Sequence, residues 1–113
     1  MSIDAPALAR TPKPPYYAVV FTSIRSDADD EGYAKMSSEM ARLAATQPGY
    51  LGMESAREEG GVGITVSYWE TLDAIRAWKA HVDHLVAQRL GREKWYRAYA
   101  LRICKVERAY DFP

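Results

Sequence analysis

Two histidines close together in the sequence are the side chains best suited to acid–base chemistry at neutral pH. His81 and His84 are the only histidines of the chain, and both follow Tyr68 and a pair of tryptophans. An imidazole titrates near neutrality, so it can take a proton from a phenol without a large shift of its pKa. His84 is the better candidate for a base, because the apolar Leu85 follows it and would set it at the mouth of a cleft.

The residues around these histidines predict a slot for an aromatic ligand. His84 and Tyr68 are the candidate catalytic residues, and four further side chains are candidates for substrate binding: Trp69, Trp78, His81 and Phe21. A phenol that faces a cavity can hydrogen-bond a substrate oxygen.

Each candidate also has a purely structural interpretation. Large aromatics usually fill cores, the histidines can lie exposed near a helix bend at His81 to Asp83, and a tyrosine hydroxyl can be satisfied at a dimer interface. Tyr68 and Trp69 are neighbours on a predicted strand, so only one of them can face a given cavity. The histidine pair lacks a carboxylate at matching spacing, and we predict no metal site.

Composition restricts the class of protein. The chain has 113 residues, 15 basic and 15 acidic side chains and one cysteine. One domain is expected at this length, and the balanced charge gives no support to a nucleic-acid or membrane partner. A single cysteine excludes an internal disulfide and fits a reducing cytoplasm. Residues 1–14 are proline-rich and predict an extended N-terminal tail, followed by one domain over residues 15–113.

Runs of β-branched and aromatic residues alternate with helical spacing along that domain. Strands are predicted from Tyr16 to Arg25, over residues 50–57, from Ile64 to Trp69 and over residues 96–108. One helix follows the acidic stretch at residues 26–30 and stops at Gln47-Pro48-Gly49, and a second starts after Thr71. The order β-α-β-β-α-β predicts a ferredoxin-like α+β fold, a four-stranded antiparallel sheet with both helices on one face.

Both faces of the predicted sheet are apolar. In the first strand Tyr16, Ala18 and Val20 point one way, while Val19 and Phe21 point the other. Two helices cover only one face, and the chain has nothing left to cover the second. We therefore expect a homodimer that packs sheet against sheet, or a ligand on that face, or both.

The segments QPGYLGMESAR and ITVSYWETLDAIRAWKAHVDH resemble the antibiotic biosynthesis monooxygenase domain, a family of dimeric α+β barrels. The resemblance extends from about Tyr16 to Tyr110 and is most specific at Pro48-Gly49, at the YWE of residues 68–70 and at the AW…H of residues 77–81. It implies a substrate cleft between the sheet and the helices of one subunit, with no metal or flavin. The substrate would be deprotonated to an electron-rich anion that reduces O2 itself.

The resemblance leads to three functional hypotheses. The first is a cofactor-independent monooxygenase-like enzyme that oxidises a small aromatic or quinol compound. The second is a haem-binding or haem-degrading protein. The haem-degrading branch of the resembled family uses an asparagine of the first strand and a haem-ligating histidine well after the tryptophan. This hypothesis is disfavoured, because the chain contains no asparagine and both histidines follow Trp78 too closely. The third is a non-enzymatic dimer that binds a small apolar or aromatic ligand.

Overall fold

The computed structural model describes residues 8–84 and 94–113, apart from the side chains of residues 83 and 84. The elements within them are β1 (Tyr16–Arg25), α1 (Asp30–Ala44), β2 (Tyr50–Arg57), β3 (Val62–Trp69), α2 (Leu72–His84) and β4 (Tyr96–Val106). This is the predicted β-α-β-β-α-β order. The bend predicted near His81 is wrong, because α2 continues without interruption to His84.

Local sequence signals set the limits of α1. Asp29 caps the helix with φ at 53°, and its carboxylate accepts a hydrogen bond of 3.1 Å from the backbone N–H of Gly32. Two acidic residues, Asp30 and Glu31, follow in the first turn, where the helix dipole favours negative charge. The turn into β2 uses Gly49 with φ at 84°, a conformation that is easy only for glycine.

The strands form one antiparallel sheet in the order β2-β3-β1-β4. All buried residues of the sheet lie on the two inner strands, β3 and β1. The chain reaches each edge strand through a crossover helix. The fold is ferredoxin-like, as predicted.

One face of the sheet packs against the helices, and we call it the helix side. Its core is formed by Val19, Trp69 and Ile75, which joins α2 to the sheet. Since side chains alternate along a strand, the odd-numbered residues of β1 and β3 share this side. Trp69 is fully buried and therefore belongs to the core. This is the structural interpretation that the sequence offered as an alternative to substrate binding.

The chain itself covers part of the second face, so the expectation that it has nothing left for this purpose is wrong. The backbone N–H of Ala9 donates to Glu54 Oε2 at 2.9 Å, and the hydroxyls of Thr11 and Tyr16 are 2.8 Å apart. Ala9 also lies directly against Gly52, where a Cβ would come within 2.9 Å of its methyl group. Residues 8–15 therefore cross the sheet near the start of β1.

The cover is incomplete. Beneath the N-terminal segment Tyr16 and Ala18 are only 4% and 5% exposed, whereas Val62 and Ile64, farther along the same face, are both 45% exposed. An apolar strip thus remains open at the other end of the second face.

Candidate active site

The tryptophan end of the helix side holds three stacked rings. The Trp69 and Trp78 ring centroids are 6.0 Å apart at an interplanar angle of 26°, and the His81 ring lies 5.7 Å from Trp78 at 21°. The Trp69 indole N–H donates to Ser67 Oγ at 2.9 Å, which satisfies its only polar atom. The stack leads from the core to an exposed imidazole, so three of the predicted site residues do lie together.

Phe21 lies near the middle of β1 on the same side of the sheet. Its ring centroid is 5.5 Å from Tyr96 and 5.4 Å from Tyr99, and Tyr33 of α1 contacts Tyr96 at 5.8 Å. With Trp95, which contacts Tyr33 at 6.3 Å, these rings form a cluster of five aromatic side chains. Phe21 is thus part of an aromatic wall, and its role in substrate binding stays a prediction.

Tyr68 lies on the second face, away from Trp69 and Trp78. Its hydroxyl donates to Glu54 Oε1 at 2.7 Å, and its ring meets Tyr16 edge-on at 5.9 Å. Burial, together with the Glu54 carboxylate, raises the pKa of Tyr68 to about 12. Tyr68 therefore does not share a slot with Trp78, and it stays protonated at neutral pH.

The side chain of His84 lies outside the described residues. Its backbone ends α2, one turn after His81. The role of His84 as a base therefore stays a prediction.

The opposite end of the helix side, which we call the arginine end, was not predicted from the sequence. Arg25 lies there with its side chain 7% exposed. Its Nη1 donates to the carbonyls of Ser26 at 2.9 Å and Trp95 at 3.2 Å, and its Nη2 bonds Asp30 Oδ1 at 2.8 Å. The guanidinium also lies 4.0 Å from the ring centroid of Tyr33, a cation–π contact. A buried cation is thus held in place by four partners.

Arg57 reaches the same end from β2. In the sheet register Arg57, Gly63, Ser23 and Tyr99 form one row across the four strands. The Arg57 guanidinium crosses this row, and it donates to Ser23 Oγ at 2.5 Å and to the Gly61 carbonyl at 3.0 Å. It passes directly over Gly63, where a Cβ would be 2.3 Å from the guanidinium carbon. Glycine at position 63 therefore makes room for this arginine.

A pair of tyrosine hydroxyls lies next to the two arginines. Burial and the hydrogen bond between Tyr96 and Tyr33 raise the pKa of Tyr96 well above its usual value, although the charges of Arg57 and Arg25 act in the other direction. Tyr96 therefore stays protonated at neutral pH.

These groups border an open cleft of about 340 Å³. Its lining residues are Arg25, Ser26, Asp27, Asp30, Tyr33, Arg57 and Gly60. Tyr33 belongs both to this cleft and to the aromatic wall, so the two are continuous. On the same side of the sheet Tyr99, Leu101 and Ile103 of β4 are 43–52% exposed, which leaves apolar surface accessible beside the wall. We call this cleft, together with the aromatic wall that Tyr33 joins to it, the helix-side cleft.

Sequence signals for the arginine end were present but ambiguous. Arg25 and Arg57 end their strands, where charged residues are usually solvated. Only the register, which puts a glycine between Arg57 and Ser23, distinguishes an inward guanidinium from a surface one.

Neither a metal cluster nor a membrane helix was found in the part of the chain that the structure describes. Within residues 8–84 and 94–113, no three side chains of His, Cys, Asp or Glu come together as metal ligands would. No helix in these same ranges has the length and apolar character needed to cross a membrane.

Comparison with known proteins gives a family match and several structural likenesses. The family profile described as antibiotic biosynthesis monooxygenase matches residues 15–90. The uncharacterized protein YqjZ of Bacillus subtilis (strain 168) is 52% identical over 101 residues, which cover 89% of this chain and 88% of that protein.

Two solved structures illustrate the shared fold. SnoaB, a cofactor-independent oxygenase from Streptomyces nogalater, superposes with a TM-score of 0.71 at 15% identity, over 85% of this chain and 97% of that chain. A dimeric ferredoxin-like protein of unknown function from Thermobifida fusca has a TM-score of 0.63 at 12% identity, over 88% of this chain and 100% of that chain.

Proposed function

Because the chain belongs to the antibiotic biosynthesis monooxygenase family, we propose that it oxidises a small aromatic or quinol compound with O2 and without a cofactor. The observation that carries the proposal is the helix-side cleft, in which an aromatic wall runs into a pair of arginines. Flat rings pack well against such a wall, and the cationic end favours an anionic form of the substrate.

The reaction needs few protein groups, because the substrate itself reduces O2. The substrate loses a proton and becomes an electron-rich anion, which transfers electrons to O2. In a net oxygenation a ring CH2 becomes C=O, one oxygen atom enters the product, and the other leaves as water with the two hydrogens. The cleft has to bind the ring, stabilise the anion and keep out bulk water. Phe21 and Tyr99 supply ring contacts, and His84 stays the predicted proton acceptor.

We propose that the protein acts as a homodimer through the second face of the sheet. The apolar strip around Val62 and Ile64 supports this, since both side chains are 45% exposed and no segment of the described chain covers them. The dimeric ferredoxin-like protein with the same fold is consistent with this arrangement. The exposed, unpaired Cys104 fits a reducing compartment, so we place the enzyme in the cytoplasm.

Oxygen consumption tests the proposed function directly. Purified protein is mixed with a panel of quinols and anthrone-like phenols, and O2 uptake is followed against protein-free samples, since such compounds also oxidise slowly by themselves. We expect catalysed uptake with at least one compound, and one atom of ¹⁸O from labelled O2 in the product.

A matched pair of variants locates the reaction. Phe21→Ala removes a ring from the aromatic wall and should lower the rate with the active compound about 10-fold or more, because a misplaced ring loses its productive geometry. Phe112→Ala is the control, since Phe112 is 94% exposed at the far end of the chain. If these compounds bind without any catalysed O2 uptake, the oxygenase proposal is contradicted and a non-enzymatic ligand-binding protein is supported instead.

A further inference from the structure

Hydrogen bonds hold the Arg57 guanidinium in one position, but they occupy only some of its N–H donors. Its two bonds go to a neutral hydroxyl, that of Ser23, and to a backbone carbonyl, that of Gly61. A guanidinium has five N–H donors, so several remain after these two bonds. Within the described residues no carboxylate lies within ion-pair distance of Arg57, whereas Arg25 has Asp30 at 2.8 Å. Arg57 therefore lines the cleft as an immobilised cation with donors to spare.

A second donor lies beside it. The Arg57 guanidinium carbon is 5.7 Å from the Tyr33 ring centroid, and both residues line the cleft. The Tyr33 side chain ends in a hydroxyl, which can donate one hydrogen bond to an acceptor in the cleft. Two donors of different kinds thus border the same space.

The distance along β1 fits an aromatic ring. Ser23, which anchors Arg57, is the next residue after Phe21 on the helix side of the strand. Residues two apart on a strand are about 7 Å apart. A phenol whose ring lies against Phe21 and whose oxygen points towards Ser23 therefore has that oxygen between its ring and the Arg57 guanidinium.

We propose that Arg57 and the Tyr33 hydroxyl bind the oxyanion of the substrate, so that the cleft takes phenols as phenolates. This inference rests on the proposed function for its catalytic meaning, but the binding itself does not require O2. Arg57 is exposed, so the anion would replace water at the remaining N–H groups of the guanidinium. A charge-assisted hydrogen bond is stronger than a bond between neutral groups.

The other charges around the site do not cancel this preference. Arg25 adds a second positive charge, and Asp30 is bonded to it. Asp27 and Glu58 are exposed at the rim, where water screens their charge. Tyr96 stays protonated and uncharged. The phenolate would contact the donors directly, whereas the carboxylates act from the rim. The direct contacts therefore determine that the site favours an anionic ligand.

The test uses para-nitrophenol, a chromophore that titrates near neutrality and does not react with O2. The protein is titrated with the probe at several pH values, and the phenolate absorbance gives the pKa of the bound probe. We expect the pKa of the bound probe to lie about one unit or more below that of the free probe, as one opposite charge at short range produces. This corresponds to a tenfold or greater preference for the phenolate.

Gly63→Ala is the diagnostic variant because it keeps every charge. The new Cβ would occupy the place of the Arg57 guanidinium, and a flexible side-chain end can move away at little cost. The melting temperature should therefore hardly change, while the shift of the probe pKa is lost. Arg57→Gln should lose the shift as well, and Arg42→Gln, which removes the charge of an exposed arginine on α1, should keep it.

Three results would overturn the inference: no binding of the probe, a bound probe with the pKa of the free one, or a shift that persists in Gly63→Ala. Failure of the proposed function is separate. A shifted pKa of the bound probe without catalysed O2 uptake would support the phenolate site and contradict the proposed oxygenase activity. Catalysed O2 uptake without a shift of the probe pKa would support the oxygenase activity and contradict the phenolate site.

Discussion

Replacement of Tyr68 by phenylalanine separates the two faces of the sheet. The hydroxyl donates to Glu54 Oε1 at 2.7 Å, and the other oxygen of that carboxylate accepts from the Ala9 backbone at 2.9 Å. A hydrogen bond to a charged group contributes about 1.5–3 kcal/mol to stability, and the partial exposure of this pair favours the lower end. We expect Tyr68→Phe to lower the free energy of unfolding by about 1.5 kcal/mol and the melting temperature by roughly 5 °C.

The same substitution should change the alkaline limit of stability. The pKa of Tyr68 is raised from 10.0 to about 12 in the folded protein. A raised pKa contributes stability that is complete below pH 10 and is lost as the pH rises towards 12. Unfolding by urea, measured across this pH range, should therefore depend less steeply on pH in Tyr68→Phe than in the wild type. Tyr110→Phe is the control, because Tyr110 is 95% exposed.

Activity supplies the decisive measurement. Tyr68 lies behind the sheet, so Tyr68→Phe should leave oxidation of an active quinol within about twofold of the wild type, whereas loss of a general acid or base costs 10²-fold or more. A Tyr68→Phe protein that folds normally but has lost activity would refute the location of the reaction on the helix side. The substrate would then have to lie between the second face and the N-terminal segment.

Three further predictions follow from the packing, from the open strip and from the sequence. Trp69→Ala should destabilise the fold by about 3–5 kcal/mol in urea unfolding, because the indole is fully buried; a loss below about 1 kcal/mol would contradict its place in the core. Ile64→Lys should convert a dimer of about 25 kDa into a monomer in light scattering, as a charge inside a two-fold apolar contact is repeated in both copies; an unchanged mass would exclude this strip as the interface. His84→Ala should lower the rate of quinol oxidation by about 10²-fold with little change in melting temperature; full activity across the pH range would remove the histidine from the mechanism.

The fold was predictable from the sequence because its signals are local. Runs such as YYAVVFTSIR favour strands whatever their surroundings, and Pro48-Gly49 stops a helix through backbone restrictions alone. The cover of the second face was not predictable in this way. Ala9 and Glu54 are 45 positions apart, and nothing in a proline-rich segment identifies the carboxylate that will accept its N–H.

The candidate site was predictable only in part, for a related reason. The stack of Trp69, Trp78 and His81 follows from strand-to-helix proximity and helical spacing, so neighbouring sequence positions carry it. The opposite directions of Tyr68 and Trp69 follow from the two-residue period of a strand. Which of the two faces the helices was not fixed by that period, since both faces of the sheet are apolar.

The arginine end depends on the register of three strands at once. Arg57 on β2, Gly63 on β3 and Ser23 on β1 form one row, and the guanidinium spans it only because the middle position has no side chain. A slip of one residue in either pairing would move one member of the row to the other face and break the contact. The apolar core around Val19 and Trp69 fixes that register, because a slip would expose it. The packing of the tryptophan end thus also determines the position of the cation at the arginine end, and substitutions in the core should change phenolate binding without touching the ligand.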